Sequence, residues 1–131
     1  MVSLYAKLET WRPYVLSILR IVAALLFLQS GLSKFFGFPA VGPPLVGLIT
    51  PAAIIETFGS LLLLVGLFTR WAALVMSGEM AFAYFMAHAP KSFYPAVNGG
   101  SLAILYCFVF LYLVFAGGGP WSVDRVVLKS D

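Results

Sequence analysis

The sequence predicts an all-α integral membrane protein, a four-helix bundle with both termini in the cytoplasm. Three observations predict it. Of the 131 residues, 62% are hydrophobic and only 10% charged, whereas a soluble domain needs about 25% charged residues to wet its surface. Four apolar stretches, about 14–33, 47–68, 71–87 and 100–116, approach the roughly 20 residues that cross a hydrocarbon core. The charges are also sorted: with four crossings, Lys7, Arg12, Arg70, Arg125 and Lys129 share one side with both termini, leaving Lys34 and Lys91 opposite. An excess of Lys and Arg marks the cytoplasmic side. Trp11, Trp71 and Trp121 fall at that same boundary, where an amphipathic indole settles. A water-soluble enzyme, a disordered chain and a collagen are thereby excluded. Nucleic-acid binding is excluded too, because the net charge of +3 forms no run of Lys or Arg that could track phosphates.

The first stretch, Tyr14 to Ser33, reads as a retained helix. It is long, it contains Arg20, and it is followed by Lys34 and aromatics where a signal peptide would have a small-residue cleavage site. Gly37, Pro39, Gly42, Pro43 and Pro44 mark the connection to the second stretch. Only Thr69 and Arg70 separate the second from the third, which predicts a tight turn. Pro90, Pro95, Asn98, Gly99 and Gly100 mark the way into the fourth. Four spans take up about 80 residues, so residues 1–131 are expected to form a single transmembrane domain. The outer connections share a phrase, Phe38-Pro39-Ala40-Val41-Gly42 and Tyr94-Pro95-Ala96-Val97-Asn98. It reads as the Pro and Gly that outer turns require, or as the trace of two parallel hairpins. Cys107, alone in an apolar run, is a small hydrophobe with neither a disulfide nor a metal-binding motif around it.

Arg20, Glu56 and Glu79 lie inside the stretches, and each costs several kcal/mol at mid-bilayer unless paired or hydrated. At 1.5 Å per residue, Arg20 rises about 11 Å above Arg12 and Glu79 about 13 Å above Arg70. The shared depth predicts a structural ion pair between Arg20 and Glu79. Glu56 reaches about 21 Å with no cation counted near it. It is therefore expected to donate and accept hydrogen bonds in a polar pocket, as the candidate catalytic group. Lys34, His88 and Asn98, with Gln29 and Ser30, lie toward the outer ends and are expected to line the mouth of that pocket as ligand-binding candidates. No second His or Met stands at a spacing that would hold a haem, and no metal site is expected. Phe82, Phe85 and Tyr106 are placed to flank a flat ring.

Several segments together resemble the DoxX family. They are Leu19-Arg20-Ile21 leading to Gly31-Leu32-Ser33-Lys34-Phe35, Glu56-Thr57-Phe58-Gly59 to Gly66-Leu67-Phe68-Thr69-Arg70, Asn98-Gly99-Gly100, and Gly119-Pro120-Trp121-Ser122-Val123-Asp124. The resemblance runs through nearly the whole chain and rests on the order and spacing of the pieces. It implies a multi-pass protein of a bacterial-type inner membrane. It also implies a redox setting, since the family is named after a subunit of a thiosulfate:quinone oxidoreductase and other members are linked to a membrane redox complex. Carried over by position, the family pattern singles out Arg20, Lys34, Glu56, Arg70, His88, Asn98 and Asp124. One departure matters: family members read Asn-Gly-Gly-Glu where this chain has Asn98-Gly99-Gly100-Ser101, which weakens a borrowed proton-relay role at the fourth helix.

These readings lead to three expectations. The first is a redox-associated subunit, accessory to a quinone-linked oxidoreductase, whose Glu56 pocket holds a quinone or similar small molecule as its cofactor. The second is a non-catalytic structural or assembly subunit of a membrane complex. The third is a small-solute carrier, which four short helices would have to dimerise to provide. In each, the surroundings are the lipid bilayer together with membrane protein partners or further copies of the chain.

Overall fold

The computed structural model of the protein describes residues 3–38 and 45–129. Every regular element among them is helical: α1 Leu4–Phe36, α2 Ile49–Val65, α3 Thr69–Ala83, α4 Pro95–Asn98, α5 Ser101–Ala116 and α6 Val123–Val126. A π-helical turn at Tyr84–His88 and a 3-10 turn at Ala89–Lys91 extend α3.

α1 is 33 residues long and starts ten residues before the apolar stretch does. Its start is set by Ser3, whose Oγ accepts the Ala6 N–H at 3.2 Å, so the polar segment with Lys7, Glu9 and Arg12 winds as helix although it is not apolar. Pro13 is carried within the helix at the loss of one backbone bond. Gly37, at φ 67, ends α1 by returning its N–H to the Ser33 carbonyl. Gly66, at φ 76, ends α2 in the same left-handed way. Only Leu67 and Phe68 then precede α3. The outer phrase at Pro39 to Gly42 lies outside the described residues, while its counterpart Pro95–Asn98 is the single turn α4.

α1 packs on α2, α2 on α3, α3 on α5, and α5 back on α1. Small residues let these helices approach: a Cβ at Gly31 would lie 2.8 Å from the Thr57 nitrogen, and one at Gly59 would lie 2.6 Å from Met76 Sδ. Between the helices Ala24, Leu63, Ala73, Met76, Phe110 and Leu113 are sealed off completely. Phe27 joins Tyr106 and Phe110 with ring centroids 5.0 and 5.2 Å away, a spacing favourable for aromatic pairs.

Many large apolar side chains also stand on the outer surface. Leu25, Leu61, Leu74, Leu105 and Phe115 stand exposed, and α5 is apolar around its whole circumference. A face of this extent has no stable partner in water. Among the described residues α1 alone is long and apolar enough to cross a membrane by length and composition; α2 and α5 are apolar helices of 17 and 16 residues, about 25 Å each.

Candidate functional site

Two polar sites are built into this apolar frame. The first lies at the end that carries the α2–α3 turn. After α5 the chain runs through Gly117, Gly118 and Gly119 and folds under α1. There Arg20, 1% exposed, donates from Nη1 to the Gly118 carbonyl and from Nη2 to the Trp121 carbonyl at 2.8 Å. Ser17 Oγ donates to Gly118 O at 3.1 Å and accepts the Trp121 N–H at 3.1 Å. Asp124 accepts the N–H groups of Phe68 and Thr69, both at 2.8 Å. The α3 start leaves orphan donors that a carboxylate satisfies well. Arg70 donates to the carbonyls of Val114 and Phe115, at 2.9 and 2.6 Å, at the end of α5.

This arrangement corrects the expected Arg20–Glu79 ion pair. The guanidinium is directed at backbone carbonyls and lies against Gly66, at the level of the turn. Glu79 stands ten residues further along α3 than Thr69, about 15 Å away along the axis. The depth estimate fails because α1 extends past Arg12 and its level cannot be counted from there.

The second site is a cavity of about 510 Å³ toward the other end, among α1, α2, α3 and α5. Lys34 reaches across from α1 to α2, its Nζ 2.7 Å from Glu56 Oε1 and 2.9 Å from Ser30 Oγ. Ser30 donates to the same Glu56 oxygen at 2.5 Å. The pair is well covered, with side chains 15% and 3% exposed. The expectation that Glu56 lacks a cation is thus corrected. Side chains on a helix lean toward its N-terminus, so Lys34, near the far end of α1, bends back along the helix to the level of Glu56.

Glu79 joins this group instead of Arg20, lining the same cavity beside Glu56 and within electrostatic reach of Lys34. Its Oε1 is buried and has no hydrogen-bond partner. A signal for this adjacency was present in the sequence. Glu56 stands ten residues before Gly66, and Glu79 ten residues after Thr69. Two antiparallel helices joined by a tight turn bring equidistant residues to one level, about 15 Å from the turn.

His88 also lines the cavity, at the end of the π-helical turn. Its Nδ1 lies 3.1 Å from the Asn98 carbonyl; a carbonyl only accepts, so Nδ1 carries the proton and Nε2 remains an acceptor in the neutral ring. Asn98 plays a different part from the one expected. Its Oδ1 accepts the Gly100 N–H at 2.7 Å, and its Nδ2 donates to Ser92 O at 2.9 Å and to Tyr84 Oη at 3.1 Å. Those bonds shape the α4–α5 connection and leave the amide little to offer a ligand. Of the aromatics singled out, Tyr106 lines the cavity together with Phe27, Phe82 lies in a neighbouring groove, and Phe85 faces a separate pocket. Gln29 is exposed.

The Lys34, Glu56, Glu79 and His88 positions all fall within residues 15–89, which match the DoxX family model. An uncharacterized protein of Haemophilus influenzae is 46% identical to this chain, covering 95% of it and 98% of the relative. A second uncharacterized protein of that organism is 30% identical over 87% of this chain and 83% of its own length. The inner membrane protein YqjF of Escherichia coli is 32% identical over 85% of this chain and 90% of its own length. No solved structure matches.

Proposed function

Since this chain belongs to the DoxX family of small membrane proteins, we propose that it is a multi-pass inner-membrane protein whose intramembrane cavity binds a quinone-type ring as a redox-associated subunit. In this reading α1, α2, α3 with its π-helical extension, and α5 each cross the bilayer as a four-helix bundle, with both termini cytoplasmic. The basic residues Arg70, Arg125 and Lys129 beside the α2–α3 turn support that orientation, as do Trp71 and Trp121 at the same end.

One observation carries the binding reading: three polar groups facing one cavity have hydrogen-bonding capacity left over. Lys34 spends two of its three donors on Ser30 and Glu56. His88 keeps Nε2, and Glu79 keeps Oε1. The volume, about 510 Å³, falls in the roughly 300–1,000 Å³ range of small-ligand sites. Phe27 and Tyr106, 5.0 Å apart, supply aromatic walls. A quinone, when bound, supplies two-electron, two-proton chemistry. The chain's part is to orient the ring with the Lys34 ammonium at one oxygen, and to receive or return protons at Glu79 and His88 Nε2. With one ammonium beside two carboxyl groups, the cluster is electrically balanced when it holds one extra proton, a state suited to passing one on.

The test is solvent extraction of the purified protein followed by mass spectrometry of the extract. The expected result is a quinone near one per chain that falls at least tenfold, on the order of 1.4 kcal/mol, in Glu79→Gln and Lys34→Met. Absence of any quinone, with membrane oxidoreductase activity unchanged in Glu56→Gln, would overturn the reading. A second reading, a non-catalytic assembly subunit, draws on Lys34, Ser30 and Glu56 being bonded to one another across α1 and α2. It predicts a stable co-purifying partner complex that is lost on deletion, with no small molecule retained.

A further inference from the structure

α2 and α3 touch closely at Gly59 and Met76, then part. Beyond that contact lies a second cavity of about 360 Å³, lined by apolar side chains including Pro51, Val75, Phe82 and Met86. Phe82 is 53% exposed and Met86 59%, so the groove opens on the outer apolar surface. It borders the polar cavity: Ile49, Ala52, Glu79, Ala83 and Ala87 line both. Three of these five, the alanines, have no bulk beyond a methyl group. Glu79 places a buried, unpartnered carboxyl oxygen at the boundary between an apolar groove and a polar chamber.

A site of two halves takes a ligand of two halves. We propose that the α2–α3 groove is a side port and tail site, so that the molecule held in the polar cavity is an amphipathic membrane lipid whose hydroxyl-bearing ring lies inside, donating to Glu79 Oε1, and whose hydrocarbon tail lies between α2 and α3. This rests on the cavity being the ring site. Charge complementarity favours a hydroxylated head: at the threshold and inside, Glu79 Oε1 and His88 Nε2 both accept, and an acceptor left empty in an apolar setting is costly. The tail gains no hydrophobic energy by leaving lipid for the groove. Its role is to fix direction, so the head enters past Ala52 and Ala83 without crossing either membrane surface.

The proposal is tested by photolabelling in lipid nanodiscs with a benzoquinol carrying a diazirine midway along a ten-carbon tail, the labelled peptides being read by mass spectrometry. Adducts are expected within residues 48–55 and 75–86, and an excess of the tail-less ring should remove them by competing for the head site. In Val75→Trp, which fills the groove from its lipid side, these adducts should fall at least tenfold while the tail-less ring is still retained. Labelling spread evenly over the lipid faces of α1 and α5, with the tail-less ring still retained, overturns the tail site and leaves the ring site standing. Failure of both proteins to retain the tail-less ring overturns the ring site and the port with it.

Discussion

Lys34, Glu56 and Glu79 illustrate how a buried charge is decided by its neighbours more than by its depth. Removing one partner of a covered ion pair leaves the other uncompensated, at a cost of about 3–5 kcal/mol. Glu56→Ala is therefore expected to lower the thermal midpoint of the purified protein markedly, because Lys34 loses its 2.7 Å partner. The double substitution Lys34→Met with Glu56→Leu should restore most of that loss, since both charges go together. Thermal melts of the two variants in detergent check the pair; equal losses in both would refute the coupling. Asp124 works on a smaller scale. It accepts two backbone N–H groups at the start of α3, and Asp124→Ala is expected to cost about 1–2 kcal/mol, read as a lowered midpoint in the same assay. The family resemblance singled out this aspartate but not its role, because its partners are main-chain atoms 55 and 56 residues away.

Helix contacts are set by where side chains are missing. At Gly31 an added methyl group would meet the Thr57 nitrogen at 2.8 Å and its Cα at 3.0 Å, and the backbone of α2 cannot step aside as a flexible side chain can. Gly31→Ala is expected to force α1 and α2 apart and to destabilise by about 1–3 kcal/mol. Gly78, in α3, would meet nothing within 4 Å. Gly78→Ala should therefore be neutral, or stabilise by up to about 1 kcal/mol through helix propensity. Parallel thermal melts separate the two, and a similar response from both would mean that the α1–α2 contact is looser than Gly31 indicates. The helices themselves were legible as apolar stretches, with ends misplaced wherever a cap decided the boundary. Ser3 extends α1 into polar sequence, and hydropathy does not register a cap.

Across the whole molecule, the Arg20, Arg70 and Asp124 bonds tie the C-terminal segment beneath α1, α2 and α3, and the polar cavity lies at the far end of the same helices. The proposed orientation puts the tied end in the cytoplasm and Lys91 outside. With Cys107 changed to Ala as background, Lys91→Cys is expected to react with a membrane-impermeant maleimide on intact cells. Arg125→Cys should react only after the membrane is opened. Labelling in the opposite order would invert the orientation and place the cavity toward the cytoplasm.

Sequence alone determined that the chain is helical and belongs in a membrane. Those properties follow from how many side chains cannot be wetted and from the runs they form, both of which are local counts. It also held the residues of the cavity, Lys34, Glu56, Glu79 and His88, as charges or titratable groups in or beside apolar runs. Only the tertiary structure decided their pairing: Lys34 with Glu56, Glu79 beside them, Arg20 with the carbonyls that follow α5, and Asn98 with its own loop. Pairing depends on the level at which each helix stands against its neighbours. That level is set by caps, by small residues at the contacts and by a returning C-terminal segment, all acting between residues far apart in the chain.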